Sequence, residues 1–162
     1  MVIRKANEND LQQTLDIYNE IIANSTAIFQ YEPQTIEMRK AWFAEKQEKG
    51  FPVFVAEEDN MIVGFSTFGQ FRNWQAYKHS VENSVYVKAD QRGKGIGKLL
   101  LKPLIDVAKE MKLHTIIAGI VADNKASIAL HQQFGFVEVA HFKEVGFKFD
   151  KWLDLKFLQL MV

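Results

Sequence analysis

Cysteine is absent from the 162-residue chain. That excludes a disulfide framework, a thiolate metal site and a cysteine nucleophile together. A surplus of either charge is absent too, because 20 Lys and Arg balance 20 Asp and Glu for a formal net charge of zero. Proteins that capture nucleic acid by bulk electrostatics carry a basic surplus, so the balance argues against that class while leaving room for a local patch. No run approaches the roughly 20 apolar residues that a membrane helix needs. Residues 1–8 place no apolar signal core behind their charges. The expectation is a soluble cytoplasmic protein that engages neither nucleic acid nor membrane. Repeats, low-complexity tracts and linkers rich in Pro, Gly or Ser are missing as well. His79, His114, His131 and His141 show no HExxH or other ligand spacing, so no metal is expected.

Apolar residues are plentiful: 48% of the chain is hydrophobic, with 13 Phe and 3 Trp. The length suits one compact domain over residues 1–162 that buries its own core. Residues 2–5 read as a first strand. Asn9-Asp10 opens a helix whose apolar positions are Leu11, Leu15, Ile17, Tyr18, Ile21 and Ile22, and Asn24-Ser25-Thr26 ends it. Thr35 opens a second helix that stops at Lys49-Gly50. Residues 51–57 and 61–68 form a hairpin about Glu58-Asp59-Asn60, and an aromatic loop covers 71–77. Residues 82–87 are a strand, 88–94 a polar turn and 95–111 a helix, with a kink expected at Pro103 because it removes the amide that would bond to the Leu99 carbonyl. A strand at 114–121, a helix at 124–134 and strands at 136–141 and 147–158 complete the chain. This alternation predicts an α+β fold, a mixed and largely antiparallel sheet with helices covering its faces.

The segment richest in chemistry is Arg92-Gly93-Lys94-Gly95-Ile96-Gly97-Lys98, between a strand and a helix. Glycines let backbone amides face a ligand where a Cβ would collide. A helix start adds free N–H groups and the positive end of the dipole. Arg92, Lys94 and Lys98 add charge, so a phosphate or pyrophosphate is the natural guest. The spacing matches neither the P-loop nor the dinucleotide fingerprint, which requires Gly where Lys98 stands. On spacing alone, a solvated turn capping a helix remains the competing reading.

The turn resembles the GNAT acetyltransferase signature: Arg or Gln, two residues, Gly, one residue, Gly or Ala. Asn124, Ser127 and Leu130-His131-Gln132-Gln133-Phe134-Gly135-Phe136 resemble that family's second half. Thr26-Ala27-Ile28-Phe29, Glu32-Pro33-Gln34-Thr35, Tyr77, Val81-Glu82-Asn83-Ser84-Val85-Tyr86-Val87, Phe147-Lys148 and Trp152-Leu153-Asp154 are similar to the phosphinothricin and methionine sulfoximine acetyltransferases. The resemblance implies acetyl-CoA as co-substrate, a homodimer and acetyl transfer to the α-amine of a small amino acid. It implies that Arg92, Gly93, Lys94, Gly95, Ile96, Gly97 and Lys98 hold the pyrophosphate. Val85, Tyr86, Val87, Asn124 and Ser127 are implied to run along the pantetheine arm.

Without a cysteine nucleophile, direct attack by the amine is the simplest path. Glu82 resembles the family's general base and works best if burial raises its pKa, the alternative being an exposed strand-end carboxylate. His131 either protonates the departing thiolate, contacts the cofactor or is structural. Arg72 is a candidate clamp for a carboxylate, and Lys148 a second candidate for an acidic group. Phe29, Tyr31, Trp74 and Tyr77 are candidate pocket walls, or simply core. Acetylation of a protein or polyamine, and a CoA-binding module without transfer activity, stand as alternative functions.

Overall fold

The computed structural model describes residues 1–162. In chain order it contains β1 (Val2–Lys5), α1 (Leu11–Asn24), α2 (Ile36–Glu48), β2 (Val53–Glu58), β3 (Met61–Gln70), β4 (Ser80–Val87), α3 (Ile96–Glu110), β5 (Thr115–Val121), α4 (Lys125–Gln133), β6 (Val137–Lys148) and β7 (Lys151–Met161). The sheet runs β1-β2-β3-β4-β5-β7-β6, and every neighbouring pair except β4–β5 is antiparallel. The expected α+β architecture and element order therefore hold.

Local chemistry explains most boundaries. Thr35 caps α2 by accepting from the Met38 amide, and Gly50, with φ of 69°, follows the helix end. Asp59 and Asn60 both take positive φ, as a two-residue hairpin turn requires. Two details differ from the sequence reading. Asp10 is the N-cap residue of α1 but makes no side-chain capping bond there; the side-chain cap belongs to Asn7 on the preceding 3-10 turn Glu8–Asp10, where Asp10 accepts from the Asn7 amide and takes two bonds from Arg4. α3 carries Pro103 inside one helix from Ile96 to Glu110, in agreement with the helix expected over 95–111. The single strand expected at 147–158 is instead a hairpin, turning at Phe149 and Asp150 with φ of 53° and 57°. That turn lacks an Asn-Gly or Asp-Gly pair, so its sequence reads as continuous strand.

Two apolar layers sandwich the sheet. Leu100, Leu101 and Leu104 of α3 pack with Phe54, Ala56, Phe68, Val81, Ile116 and Leu158 on one face. On the other, Ile17, Ile21 and Ile22 of α1 meet Val55, Ile62 and Phe65. Fully burying each such side chain contributes about 1.5–3 kcal/mol. A register irregularity in the β2–β3 ladder leaves Val63 without a paired partner. Beside it, Gly64 admits Leu100, since a Cβ there would sit 2.8 Å from the Tyr86 carbonyl and 3.0 Å from Leu100. This close approach seats α3 against β3 and β4, and so fixes the position of the glycine turn.

Candidate active site

The site begins where two strands part. β4 and β5 pair in parallel only from Ser80↔Thr115 to Glu82↔Ile117. Beyond that point β4 follows β3 and β5 follows β7, so the facing edge of β4 from Asn83 to Val87 has no strand partner. Unpaired backbone groups need a partner, and here they face a cleft. A cavity of about 800 Å³ fills it, lined by Val85, Tyr86 and Val87 of β4, by Arg92, Gly93, Gly95, Ile96, Gly97 and Lys98 of the turn, and by Asn124 and Ser127. The C-terminal end of α1 and the following residues, Ser25, Thr26 and Ala27, close one side.

Gly93 and Gly95 take φ of 77° and 80°, and open space stands where their Cβ atoms would be. Intrahelical bonding in α3 starts with Lys98 and Leu99 donating to the Gly95 carbonyl, which leaves the first amides of the helix to a ligand. Arg92 Nε donates to the Val87 carbonyl at 3.2 Å, tying the turn to the strand end. Lys94 departs from the sequence reading: its Nζ donates to Gln91 Oε1 at 2.7 Å, and it does not line the cavity. Asn124 accepts from the Ser127 amide at 3.1 Å, so its side chain caps α4 on the cavity wall.

Glu82 sits at the point where the strands separate. It is half-buried, and burial pushes its carboxyl pKa up against the opposing pull of the Arg72 charge. Gly119 of β5 makes room for it, because a Cβ there would lie 2.8 Å from Glu82 Oε1. Glu82 and Ser84 line a second cavity of about 240 Å³ with Tyr18, Arg39, Trp42 and Lys46, and Tyr86 belongs to the walls of both cavities.

His131 is buried, and both ring nitrogens are occupied. Nδ1 lies 2.8 Å from the Ser127 carbonyl and Nε2 2.9 Å from Asn83 Nδ2. A carbonyl only accepts, so Nδ1 carries the proton and Nε2 accepts from the Asn83 amide, a tautomer assigned from this network. Burial also lowers the imidazole pKa. With both nitrogens engaged, His131 offers no free N–H to a thiolate in this arrangement, and of the three roles considered for it the geometry favours the structural one. It holds Asn83 in place instead. Asn83 Oδ1 is then a buried acceptor without a partner, beside a recess of about 70 Å³ shared with Val85, Asn124 and Ser127. The pantetheine arm, with its amide N–H groups, fits such an acceptor, as the coenzyme pyrophosphate fits the glycine cradle.

Lys148 is a further correction. Its Nζ donates to the carbonyls of Ile22, Ser25 and Ile28 at 2.7, 2.8 and 2.8 Å, so all three N–H bonds are used inside the protein. It is buried, with nothing left for a substrate. Phe29, Tyr31, Arg72, Trp74 and Tyr77 line none of the three cavities. Phe29 packs on Gly146, where a Cβ would meet its ring at 2.6 Å, and Tyr31 donates its hydroxyl to the Phe147 carbonyl. Tyr77 stacks edge-on against Phe71, and Trp74 is 75% exposed. Arg72 is exposed but close enough for its charge to act on Glu82. The sequence reading missed Tyr18, Arg39, Trp42 and Lys46. The available signal was a stripe on α2 in which Arg39 and Lys46 occupy the same helical face as Trp42 and Phe43.

A long cleft ending in a glycine cradle at a helix start, with a half-buried carboxylate of raised pKa in the adjoining cavity, fits an acyl-CoA-dependent acyltransferase. The GNAT acetyltransferase domain matches residues 3–156, and the chain belongs to that family. The L-amino acid N-acyltransferase MnaT of Escherichia coli is 41% identical over 162 residues, covering all of this chain and 94% of the relative. The L-methionine sulfoximine/L-methionine sulfone acetyltransferase of Salmonella typhimurium is 40% identical, covering all of this chain and 95% of its own. A GNAT phosphinothricin acetyltransferase from Sinorhizobium meliloti, solved in complex with acetyl-CoA, superimposes with a TM-score of 0.97 at 33% identity, covering 99% of this chain and 88% of that one. The chain is an acetyl-CoA-dependent N-acetyltransferase.

Proposed function

We propose that the protein acetylates the α-amine of a small, glutamate-like amino acid or its analogues, phosphinothricin and methionine sulfoximine among them. One observation carries this reading: Glu82, held half-buried with a raised pKa, lines a 240 Å³ cavity that shares the wall residue Tyr86 with the coenzyme cleft. A cavity of that size suits an amino acid. The names of the relatives support the same acceptor class.

Acetyl-CoA supplies an activated thioester: the amine's lone pair adds to its carbonyl carbon, the carbon–sulfur bond breaks, and coenzyme A leaves as a thiolate that takes its proton from solvent. The chain's residues do the rest. Arg92, Gly93, Gly95, Ile96, Gly97 and Lys98 hold the pyrophosphate, and the free edge of β4 at Val85, Tyr86 and Val87 aligns the pantetheine arm and carbonyl. An α-amine of pKa about 8 is partly neutral at physiological pH, so Glu82 has only to take the remaining proton. Arg72, whose charge acts on Glu82, is the candidate to draw the acceptor's carboxylate next to that amine.

The same reading includes a homodimer in the cytoplasm. Phe29, Tyr31, Phe147, Phe149 and Trp152 stand between 41% and 65% exposed around the β6–β7 hairpin, a density of apolar surface that partners usually cover. Phe149 also lines the coenzyme cleft, so a second copy seated there would finish its mouth. Sedimentation of the wild type beside Trp152→Glu tests this, and a wild-type monomer at all concentrations would overturn it.

Release of free thiol from acetyl-CoA tests the acceptor class. The panel is phosphinothricin, methionine sulfoximine, common amino acids, a polyamine and a basic peptide. The expected result is turnover of the first two; turnover of the polyamine or peptide alone would refute the acceptor.

A further inference from the structure

An amine and a thioester carbonyl must come within about 3–3.5 Å for attack, so they meet where the coenzyme cleft opens on the acceptor cavity. The walls of those two cavities have one residue in common, Tyr86, which also lines the recess beside Asn83. The acyl chain is bonded to the carbonyl carbon, so its first atoms lie at the same junction. What stands there sets the room an acyl group has beyond its carbonyl.

Tyr86 is held in place on several sides. It is the register partner of Phe65 across the β3–β4 ladder, so both rings lie on the face of the sheet that α1 covers. The two ring centres are 5.2 Å apart, and Tyr18 of α1 meets Tyr86 edge-on at 5.6 Å and 86°. Phe65 is 1% exposed, and the Arg39 guanidinium lies over the Tyr18 and Phe65 rings at 4.5 and 5.4 Å, which fills the layer behind them. A ring packed in this way moves only if its neighbours move with it. Tyr86 itself stays partly exposed, towards the cavities it lines. Burial pushes its phenol pKa up to about 12, so the wall it presents is uncharged at neutral pH.

We propose that Tyr86 is a specificity-determining residue whose ring limits the length of the acyl group, so that acetyl fits against it and longer chains run into it. This rests on reading the 240 Å³ cavity as the acceptor site, because that reading places the junction at Tyr86. The strand edge at Val85 to Val87 aligns any acyl-CoA alike through its backbone. Selection among acyl groups therefore falls to the one side chain at the meeting point.

Steady-state kinetics with acetyl-, propionyl- and butyryl-CoA test the proposal, using whichever amine turns over fastest. One methylene too many in a fitted pocket is worth about 10–200-fold. For wild type, kcat/KM should fall by at least about 10²-fold from acetyl- to butyryl-CoA. Tyr86→Phe keeps the ring and should keep that ratio. Tyr86→Val removes the ring with a residue that suits a strand, and Tyr86→Leu is a milder truncation. In both, the ratio should shrink to below about tenfold, even where every rate is lower. Equal losses for all three coenzymes, with the ratio intact, would mean that Tyr86 only supports the fold and would overturn the proposal. A wild type that uses butyryl-CoA as well as acetyl-CoA would overturn it too.

A binding measurement removes the dependence on the acceptor. Isothermal titration calorimetry without any amine should show wild type binding butyryl-CoA more weakly than acetyl-CoA, and Tyr86→Val binding the two alike. That pattern without turnover of any amino acid would keep the wall and discard the acceptor reading. The same affinity ratio in wild type and Tyr86→Val would discard the wall.

Discussion

Replacing Lys148 with Met separates a structural role from a substrate role at one residue. Methionine keeps most of the apolar stem and removes the ammonium with its three bonds to the carbonyls of Ile22, Ser25 and Ile28. Ile22 lies in the last turn of α1, whose final carbonyls have no amide ahead of them, so Lys148 reaches from β6 to cap that helix with a positive charge. Each abandoned carbonyl costs about 1–3 kcal/mol, and the loss is offset in part because no ammonium need then be desolvated. A net destabilisation of about 3–4 kcal/mol follows. At 2–4 °C per kcal/mol for a chain of this length, the melting temperature falls by about 10 °C. Thermal denaturation followed by circular dichroism measures this directly. Ser25, Thr26 and Ala27 line the coenzyme cleft, so the acetyl-CoA KM should rise together with the loss of stability. A variant that melts within about 2 °C of wild type while its acceptor KM climbs would refute the argument and return Lys148 to the substrate site.

Glu82→Gln should lower kcat by about 10²–10⁴-fold, the range for loss of a positioned general base. In wild type, kcat/KM rises with pH through the raised Glu82 pKa; in the variant only the rise from the substrate amine remains. Stability runs the other way. A carboxyl whose folded pKa exceeds its unfolded value of 4.5 binds more protons when folded, so wild type loses stability as pH climbs from that value through the folded one. The Gln variant avoids this loss and should melt higher than wild type at pH 7, with the gap narrowing towards pH 4. A variant with wild-type rate would remove Glu82 from the mechanism. Gly95→Ala places a Cβ at φ of 80° in otherwise open space, a left-handed conformation that costs about 1–2 kcal/mol. A modest fall in melting temperature should accompany a larger rise in acetyl-CoA KM, because the new methyl group stands in the anion cradle. Unchanged acetyl-CoA binding would move the pyrophosphate elsewhere.

Much of the fold was legible because its signals are local. The 3.6-residue spacing of Leu11, Leu15, Ile21 and Ile22, the Thr35 cap, the Gly50 stop and the Asp59-Asn60 turn each act within a few residues. The glycine turn is equally local: residues 92–98 carry both the backbone freedom and the helix start that an anion needs. Sequence alone therefore determined the secondary-structure order and the class of sheet, and its family resemblance pointed to the glycine turn and to Glu82 as candidates.

Tertiary structure decided what depends on distant partners. Lys148 looks like a free cation on a strand, and only the approach of residues 22–28 to β6 shows its donors to be spent. His131 looks like an acid until Ser127 and Asn83 take both nitrogens. Arg39 and Lys46 carry no local cue of burial, and only the packing of α2 over β3 turns them into the wall of a cavity. The hairpin at Phe149-Asp150 has no local cue and is set by the pairing of β6 with β7. Hydrogen bonding and desolvation depend on what surrounds a group in space, and contacts spanning more than 100 residues, such as Lys148 to Ile22, leave no periodic trace in the chain.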